Sequence, residues 1–340
     1  MKAIVQDRYG SVDDLVLREV DRPVAGNGEV LVRVRAASVH PDVWHVVRGL
    51  PYVLRLMGAG VFRPKNPIPG TDMAGIVEVI GTGVTRFRPD DEVFGETVRH
   101  PWINGGTFAE YVSVREELLA LKPANATFEQ AACIPSSGFI ALLNLRGGAV
   151  IRPGQRVLVN GAGGGVGALA VQIAKAGGAH VTAVDSPHKL EMLRALGADE
   201  VIDFTREDFT RRSARYDLIF DVPGNRPLAA CRRALEPEGK YVLIGHVGFD
   251  RSRGRALGLF PRFFKLIFLS FFVKQLRLGT SSVPSQQEAM AVLRDLLESG
   301  RITPVIDSTY ALSNAREAFR QMIEGNARGK ILLTPTRADP

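Results

Sequence analysis

The strongest chemical signal in the sequence is the run Val157-Leu158-Val159-Asn160-Gly161-Ala162-Gly163-Gly164-Gly165-Val166-Gly167. It follows an apolar strand pattern and opens a helical one. Ala162, Gly164 and Gly167 make an A-x-G-x-x-G variant of the dinucleotide fingerprint. A side chain in such a turn would hold a pyrophosphate away from the backbone N–H groups. The helix N-terminus beyond it offers about half a positive charge and orphan donors. Gly167 lets that helix pack close to the strand. Asp185 ends the next strand pattern, near the roughly 20-residue spacing of the fingerprint. A carboxylate there accepts ribose hydroxyls and repels a 2′-phosphate, which favours NADH over NADPH. Ser186, His188 and Lys189 remain able to receive that phosphate. The competing reading is a glycine-rich turn without a ligand.

The elements that must carry this turn are legible around it. Residues 1–125 read as β-rich. Glu29 to Ala36 alternates with period two, and Gly75 to Gly81 and Phe108 to Val114 are similar. Pro69-Gly70, Gly81-Thr82-Gly83 and Gly105-Gly106 punctuate these strands, as in a barrel or sandwich. After Pro123 strands alternate with helices. They are strand Gln155–Asn160, helix Gly165–Ala176, strand His180–Val184, helix Lys189–Leu196, strands Glu200–Phe204 and Tyr216–Val222, helix Leu228–Leu235 and strand Lys240–Gly245. Such alternation predicts a doubly wound parallel sheet. Two more helices, one carrying Ala289, Leu293, Leu296 and Leu297 and one at Ala315–Glu324, precede a last strand, Lys330–Thr334. The expected fold is α/β: a β-rich, barrel-like domain over 1–125, a Rossmann domain over 126–260, and a remainder over 261–340 that returns to the first domain.

Composition narrows the class. The chain has 340 residues, 45% hydrophobic and 23% charged, which suits two globular domains and excludes disorder. Two cysteines, Cys133 and Cys231, exclude a disulfide scaffold and a four-cysteine metal site. Met1 to Val5 reads as a strand rather than a signal-peptide core, and no apolar run reaches the ~20 residues that span a bilayer. A reduced, cytoplasmic protein is expected. The net charge is +7, from 43 basic and 36 acidic residues. Arg251, Arg253, Arg255, Arg262, Lys265, Lys274 and Arg277 account for all of it, in a stretch without Asp or Glu. The rest of the chain is neutral, which argues against a nucleic-acid-binding surface.

The order of a β-rich domain, a glycine-rich Rossmann unit and a return to the first domain resembles the medium-chain dehydrogenase/reductase superfamily. The likeness is to its zinc-independent, quinone-oxidoreductase-like branch. Gly28 to Val34, Gly70-Thr71-Asp72-Met73-Ala74-Gly75, Arg88 to Gly95, Gly164-Gly165-Val166-Gly167, Leu196-Gly197-Ala198-Asp199 and Gly329-Lys330-Ile331 carry the resemblance. It implies an NAD(P)H-dependent reductase of quinones or α,β-unsaturated carbonyls, a small hydrophobic electrophilic acceptor and a homodimer. It also implies a cofactor site over Ala162, Gly163, Gly164, Gly165, Val166, Gly167, Asp185, Ser186, Lys189 and Gly245. The zinc branch places ligands where this chain has His40, Gly70-Thr71-Asp72 and about Ser136, while Cys133 falls three residues early. Too few ligands remain, so no zinc is expected. An alcohol dehydrogenase and a cofactor-binding protein without catalysis are the alternatives.

The resemblance also supplies pocket candidates. The branch reads Asn-Pro-x-Asp-Trp where this chain reads His40-Pro41-Asp42-Val43-Trp44, and Thr-Ala-Leu where it reads Ile140-Ala141-Leu142. His40 is a candidate donor or proton relay, or else a structural histidine. Tyr52 is a candidate donor to an enolate, or an aromatic wall. Asp72 is a candidate network carboxylate, or a strand-terminal turn residue. Phe260, Phe263, Phe264, Phe268, Phe271 and Phe272 lie in the basic stretch. Helical spacing puts Phe260, Phe264, Ile267, Phe268 and Phe271 on one face. An apolar acceptor pocket or a subunit interface is the favoured reading of that face, and an anionic membrane surface the lesser one.

Overall fold

A computed structural model describes residues 1–98, 103–148, 151–245, 256–258, 260–276 and 285–335. Arg251, Arg253, Arg255 and Arg277 lie outside the described residues, as do the side chains of Phe260 and Phe263. The protein is a mixed α/β chain with a β-rich N-terminal domain and a parallel Rossmann-like sheet.

Strands β1 (Lys2–Val5) and β2 (Val16–Glu19) pair with each other. The long strand β3 (Glu29–Val39) leads into helix α1 (Pro41–Arg48) and is followed by β4 (Asp72–Ile80), β5 (Glu92–Glu96), β6 (Tyr111–Arg115) and β7 (Leu119–Leu121). Strand β3 pairs antiparallel with β4 along most of its length and with β6 at its start. Val30, Val32 and Val34 point into the core with Met73, Val93 and Phe108, as their period-two spacing requires. Phe108 itself precedes the strand. It meets β1 through the isolated bridge of Ala109 to Ala3, with bonds from Ile4 N to Phe108 O and from Glu110 N to Lys2 O, so β6 begins later than the apolar run suggests.

Helices α2 (Phe128–Ala132) and α3 (Pro135–Leu142) cross to the second domain. There β8 (Arg156–Asn160), α4 (Gly165–Ala176), β9 (His180–Asp185), α5 (Leu190–Ala195), β10 (Glu200–Asp203), β11 (Tyr216–Asp221), α6 (Leu228–Arg233) and β12 (Leu235–Leu243) follow. The sheet order is β10-β9-β8-β11-β12, all parallel, so the winding reverses between β8 and β11. Helix α6 ends two residues short of the expected Leu235, which instead opens β12. That strand pairs Leu235 with Tyr216 and then Lys240 with Leu218, so the intervening residues bulge out of register.

Helix α7 (Phe260–Ser270) precedes α8 (Gln286–Glu298), strand β13 (Ile306–Ala311), α9 (Ala315–Glu324) and β14 (Lys330–Thr334). Ser285 and Glu288 form a reciprocal capping box at α8. Strand β14 pairs antiparallel with the end of β3, so the N-terminal sheet runs β13-β14-β3-β4-β5-β7. This pairing brings the C-terminal segment against the glycine turn.

Candidate active site

The turn after β8 has the steric form that its composition requires. Gly161 has φ +76°, which favours glycine. A Cβ on Gly167 would lie 2.7 Å from Ala162 Cα and strike the Gly161 carbonyl, so α4 approaches the turn only because that position is bare. Gly164 differs: a Cβ there would meet nothing nearer than 4.0 Å. Gly164 is also the N-cap of α4 and supplies no side-chain cap. The open space therefore lies in front of bare helical N–H groups, which fits a pyrophosphate.

Asp185 ends β9 and is buried beside the turn. Its Oδ2 accepts from Gly163 N at 2.6 Å, and its Oδ1 accepts from Ser186 N at 2.8 Å and Ser186 Oγ at 3.1 Å. Lys189 is buried too, with Nζ 3.8 Å from Asp185 and a bond to the Gly325 carbonyl. Gly245, at the end of the described sheet, donates to Val222 O. The expected cofactor residues thus gather at the carboxyl edge of the parallel sheet.

A second set of polar groups forms the floor of a cleft of about 690 Å³. Asp42 on α1, Glu96 on β5, Ser136, Phe139 and Ile140 on α3 and Gln286 on α8 line it. Beneath them Asp72 is wholly buried at the start of β4. Ser38 Oγ donates to its Oδ2 at 3.1 Å, and Ser136 donates to its Oδ1 through both N and Oγ. The carboxylate thereby caps the N-terminus of α3, and Asp72 is a network residue. Lys330 supplies the countercharge. Its Nζ is 3.6 Å from Asp72 Oδ2 and donates to Ser137 Oγ at 3.2 Å.

Lys330 also joins this floor to the turn. Its Cδ would lie 2.5 Å from a Cβ on Gly165, and the preceding Gly329 donates to Gly163 O at 2.8 Å. In the sequence Lys330 stands out only as part of the Gly329-Lys330-Ile331 motif. A lysine directly before the apolar run Ile331-Leu332-Leu333 is the signal for it in the sequence.

Electrostatics separate the carboxyl groups of the cleft. Burial and the neighbouring Asp72 charge raise Glu96 to about 8 and Asp42 to about 7. A hydrogen bond from Ser136 offsets part of the rise at Glu96. Sequence reasoning missed Asp42 and Glu96, because neither has a motif.

His40 is the N-cap of α1, and its Nδ1 accepts from Asp42 N at 3.2 Å. The ring proton therefore sits on Nε2, which is buried and has no hydrogen-bond partner among the described residues. Burial, then the Lys330 charge, pushes His40 well below the usual histidine range, so the ring is neutral at pH 7.

Two expectations are corrected. Tyr52 does not join His40 and Asp72: it is 46% exposed and lines a separate groove with Trp44, Arg48 and Arg55, whose guanidinium lies 4.8 Å from its ring. Nor do Phe264, Phe268, Phe271 and Phe272 line the cleft; they are exposed on and just after α7, because Leu266, Leu269 and Val273 take the inward positions.

No group of three His, Cys, Asp or Glu side chains suited to a metal occurs among the described residues. Cys133 is buried, and burial pushes its thiol up to about 12.

Comparison with known proteins agrees with this architecture. Residues 26–124 match the alcohol dehydrogenase GroES-like domain, and residues 196–333 match the family described as zinc-binding dehydrogenase. The chain is 32% identical to the chloroplastic quinone-oxidoreductase QR1 of Triphysaria versicolor, over 98% of each chain. It is 32% identical to the chloroplastic NADPH-dependent alkenal/one oxidoreductase of Arabidopsis thaliana, over 98% of this chain and 80% of the relative. The solved quinone oxidoreductase of Coxiella burnetii superposes with a TM-score of 0.82 at 26% identity, covering 99% of both chains.

Proposed function

The chain belongs to the medium-chain dehydrogenase/reductase superfamily as a quinone-oxidoreductase-like member, and from that premise we propose that it is an NAD(P)H-dependent, zinc-independent reductase of a quinone or an α,β-unsaturated carbonyl. The observation that carries this reading is the continuity through Lys330 between the bare helix N-terminus at Gly164 and the cleft floored by Asp72. When bound, the reduced nicotinamide supplies a hydride.

This chain's residues bind, orient and protonate. The N–H groups opening α4, from Gly165 to Gly167, would hold the pyrophosphate, with Ala162 to Gly164 shaping the turn, and Asp185, Ser186 and Lys189 would meet the adenosine ribose, with Gly245 beside them. The Asp185 carboxylate favours NADH, while Lys189 softens its rejection of a 2′-phosphate. His40 Nε2–H donates to the acceptor carbonyl as a neutral donor. Glu96 hands over the proton that completes reduction, with Ser136 and Asp72 holding its carboxyl in place. Apolar Phe139 and Ile140 exclude water. A cytoplasmic homodimer completes the reading.

The alcohol dehydrogenase alternative needs a Lewis acid or a strong base at the carbinol. The cleft instead offers Glu96, raised to about 8, as a proton donor, which suits reduction. The test is steady-state turnover with NADH and NADPH against panels of quinones, enones and alcohols, with and without chelator. Chelator-insensitive quinone or enone reduction is expected. Turnover confined to alcohols, with stoichiometric zinc, overturns the proposal. For cofactor choice, Asp185→Ala should shift kcat/KM toward NADPH by about tenfold, the value of one lost charge-assisted contact.

A further inference from the structure

Helix α7 packs inward through Leu266 and Leu269 onto the cluster of Tyr216, Leu235 and Leu276. Its outer face is apolar and exposed. Phe268 is 63% and Phe272 73% exposed, with their ring centroids 5.4 Å apart, and Ile267 is also exposed. A second exposed apolar run, Leu56, Met57, Val61 and Phe62, lies on the loop before β4, where Phe62 reaches 91%. The two runs are tied together at their bases. Val53 N donates to Ala256 O at 3.1 Å, and Gly258 sits so close to Pro51 that a Cβ would lie 2.6 Å from its ring.

Charge decides what suits this face. Among the described residues, segments 49–71 and 256–276 carry Arg55, Arg63, Lys65, Arg262, Lys265 and Lys274 and no acid. Lys265 on α7 and Lys65 on the loop are exposed. A second copy docking about a two-fold axis would set this cation-rich face against itself. Eleven helical residues are far too short to span a bilayer but long enough to lie in its interface.

We infer that α7 and the 56–62 loop dock on an anionic lipid bilayer, with Phe62, Phe268 and Phe272 in the acyl boundary and the exposed Arg63, Lys65 and Lys265 at the headgroups. The attraction has two parts, a long-range one that salt screens and an apolar one that it does not. This inference stands apart from the reaction assigned to the cleft.

The test is cosedimentation of the full chain with phosphatidylcholine vesicles, with and without phosphatidylglycerol. Binding is expected only to the anionic vesicles, with a fraction surviving at about 1 M salt, where the screening length is roughly 3 Å. The double substitution Ile267→Ser/Phe268→Ser should weaken binding about tenfold or more, while leaving Tm and turnover unchanged. Equal binding to both vesicles, or none, overturns the inference. So does binding that salt abolishes and the double substitution leaves intact, which is charge alone. A dimer that the double substitution dissociates would show that a second copy covers the face.

Discussion

The glycine turn and the acceptor cleft lie on either side of Lys330, yet they are built by different means. The turn is nearly contiguous in sequence, from Asn160 to Gly167, and its requirements are steric. A side chain at Gly167 collides with the turn's own backbone, whereas one at Gly164 occupies free space. The cleft draws on α1, β4, β5, α3, α8 and β14, and its requirements are electrostatic: three carboxyl groups and one lysine share a buried region. A steric requirement shows in residue type. An electrostatic one depends on burial, and so on partners far along the chain.

The largest effect should come from breaking the link. Lys330→Met leaves Asp72 buried without its countercharge, at a cost of about 3–5 kcal/mol in denaturant unfolding. Adding Asp72→Asn should recover part of it. A loss below about 1 kcal/mol would mean that the pair does not hold the floor.

The next contrast lies within the turn. Gly167→Val should cost about 1–3 kcal/mol of stability, because its Cβ meets backbone that cannot retreat. Gly164→Val should fold with stability within about 0.5 kcal/mol of the native chain. It should nonetheless weaken nicotinamide-cofactor binding by about tenfold or more in calorimetry. If both substitutions act alike, the distinction between packing glycine and cradle glycine fails.

In the cleft, Glu96→Gln should lower kcat about 100-fold, the usual scale for a general acid. The native pH profile should fall above about 8 as Glu96 ionises, and the variant should lose that limb. Stability gives an independent reading. Glu96 titrates near 4.5 when unfolded and near 8 when folded, so between those values the folded state binds more protons. Native stability should therefore decline as pH rises through this window, and Glu96→Gln should flatten the decline. An unchanged slope would place the proton elsewhere.

The smallest effect is expected at Tyr52. Tyr52→Phe should leave kcat within about twofold, since its ring faces a different groove. A loss of tenfold or more would require the 51–62 segment to close on the cleft.

Much of the molecule was legible before any coordinates. The alternation after Pro123, the helix from Gly165 to Ala176 and the final strand from Lys330 to Thr334 follow from short-range periodicity and turn chemistry, and they stand where the residues placed them. The cofactor turn was legible for the same reason, since neighbouring residues enforce its geometry. The boundary at Leu235 slipped because a local pattern met a tertiary partner: Leu235 pairs with Tyr216 instead of finishing α6.

Local rules could not decide burial. Composition and spacing determined an α/β chain with a glycine-rich turn between strand and helix and an aromatic, basic helix. The tertiary structure alone decided that Lys330 sits under Asp72, that burial beside Asp72 raises Glu96, and that Phe264 and Phe268 of α7 face outward. The reason is physical: the energy of a charge or an aromatic ring depends on which distant elements remove it from water, and that is settled by how β3, β4 and β14 come together.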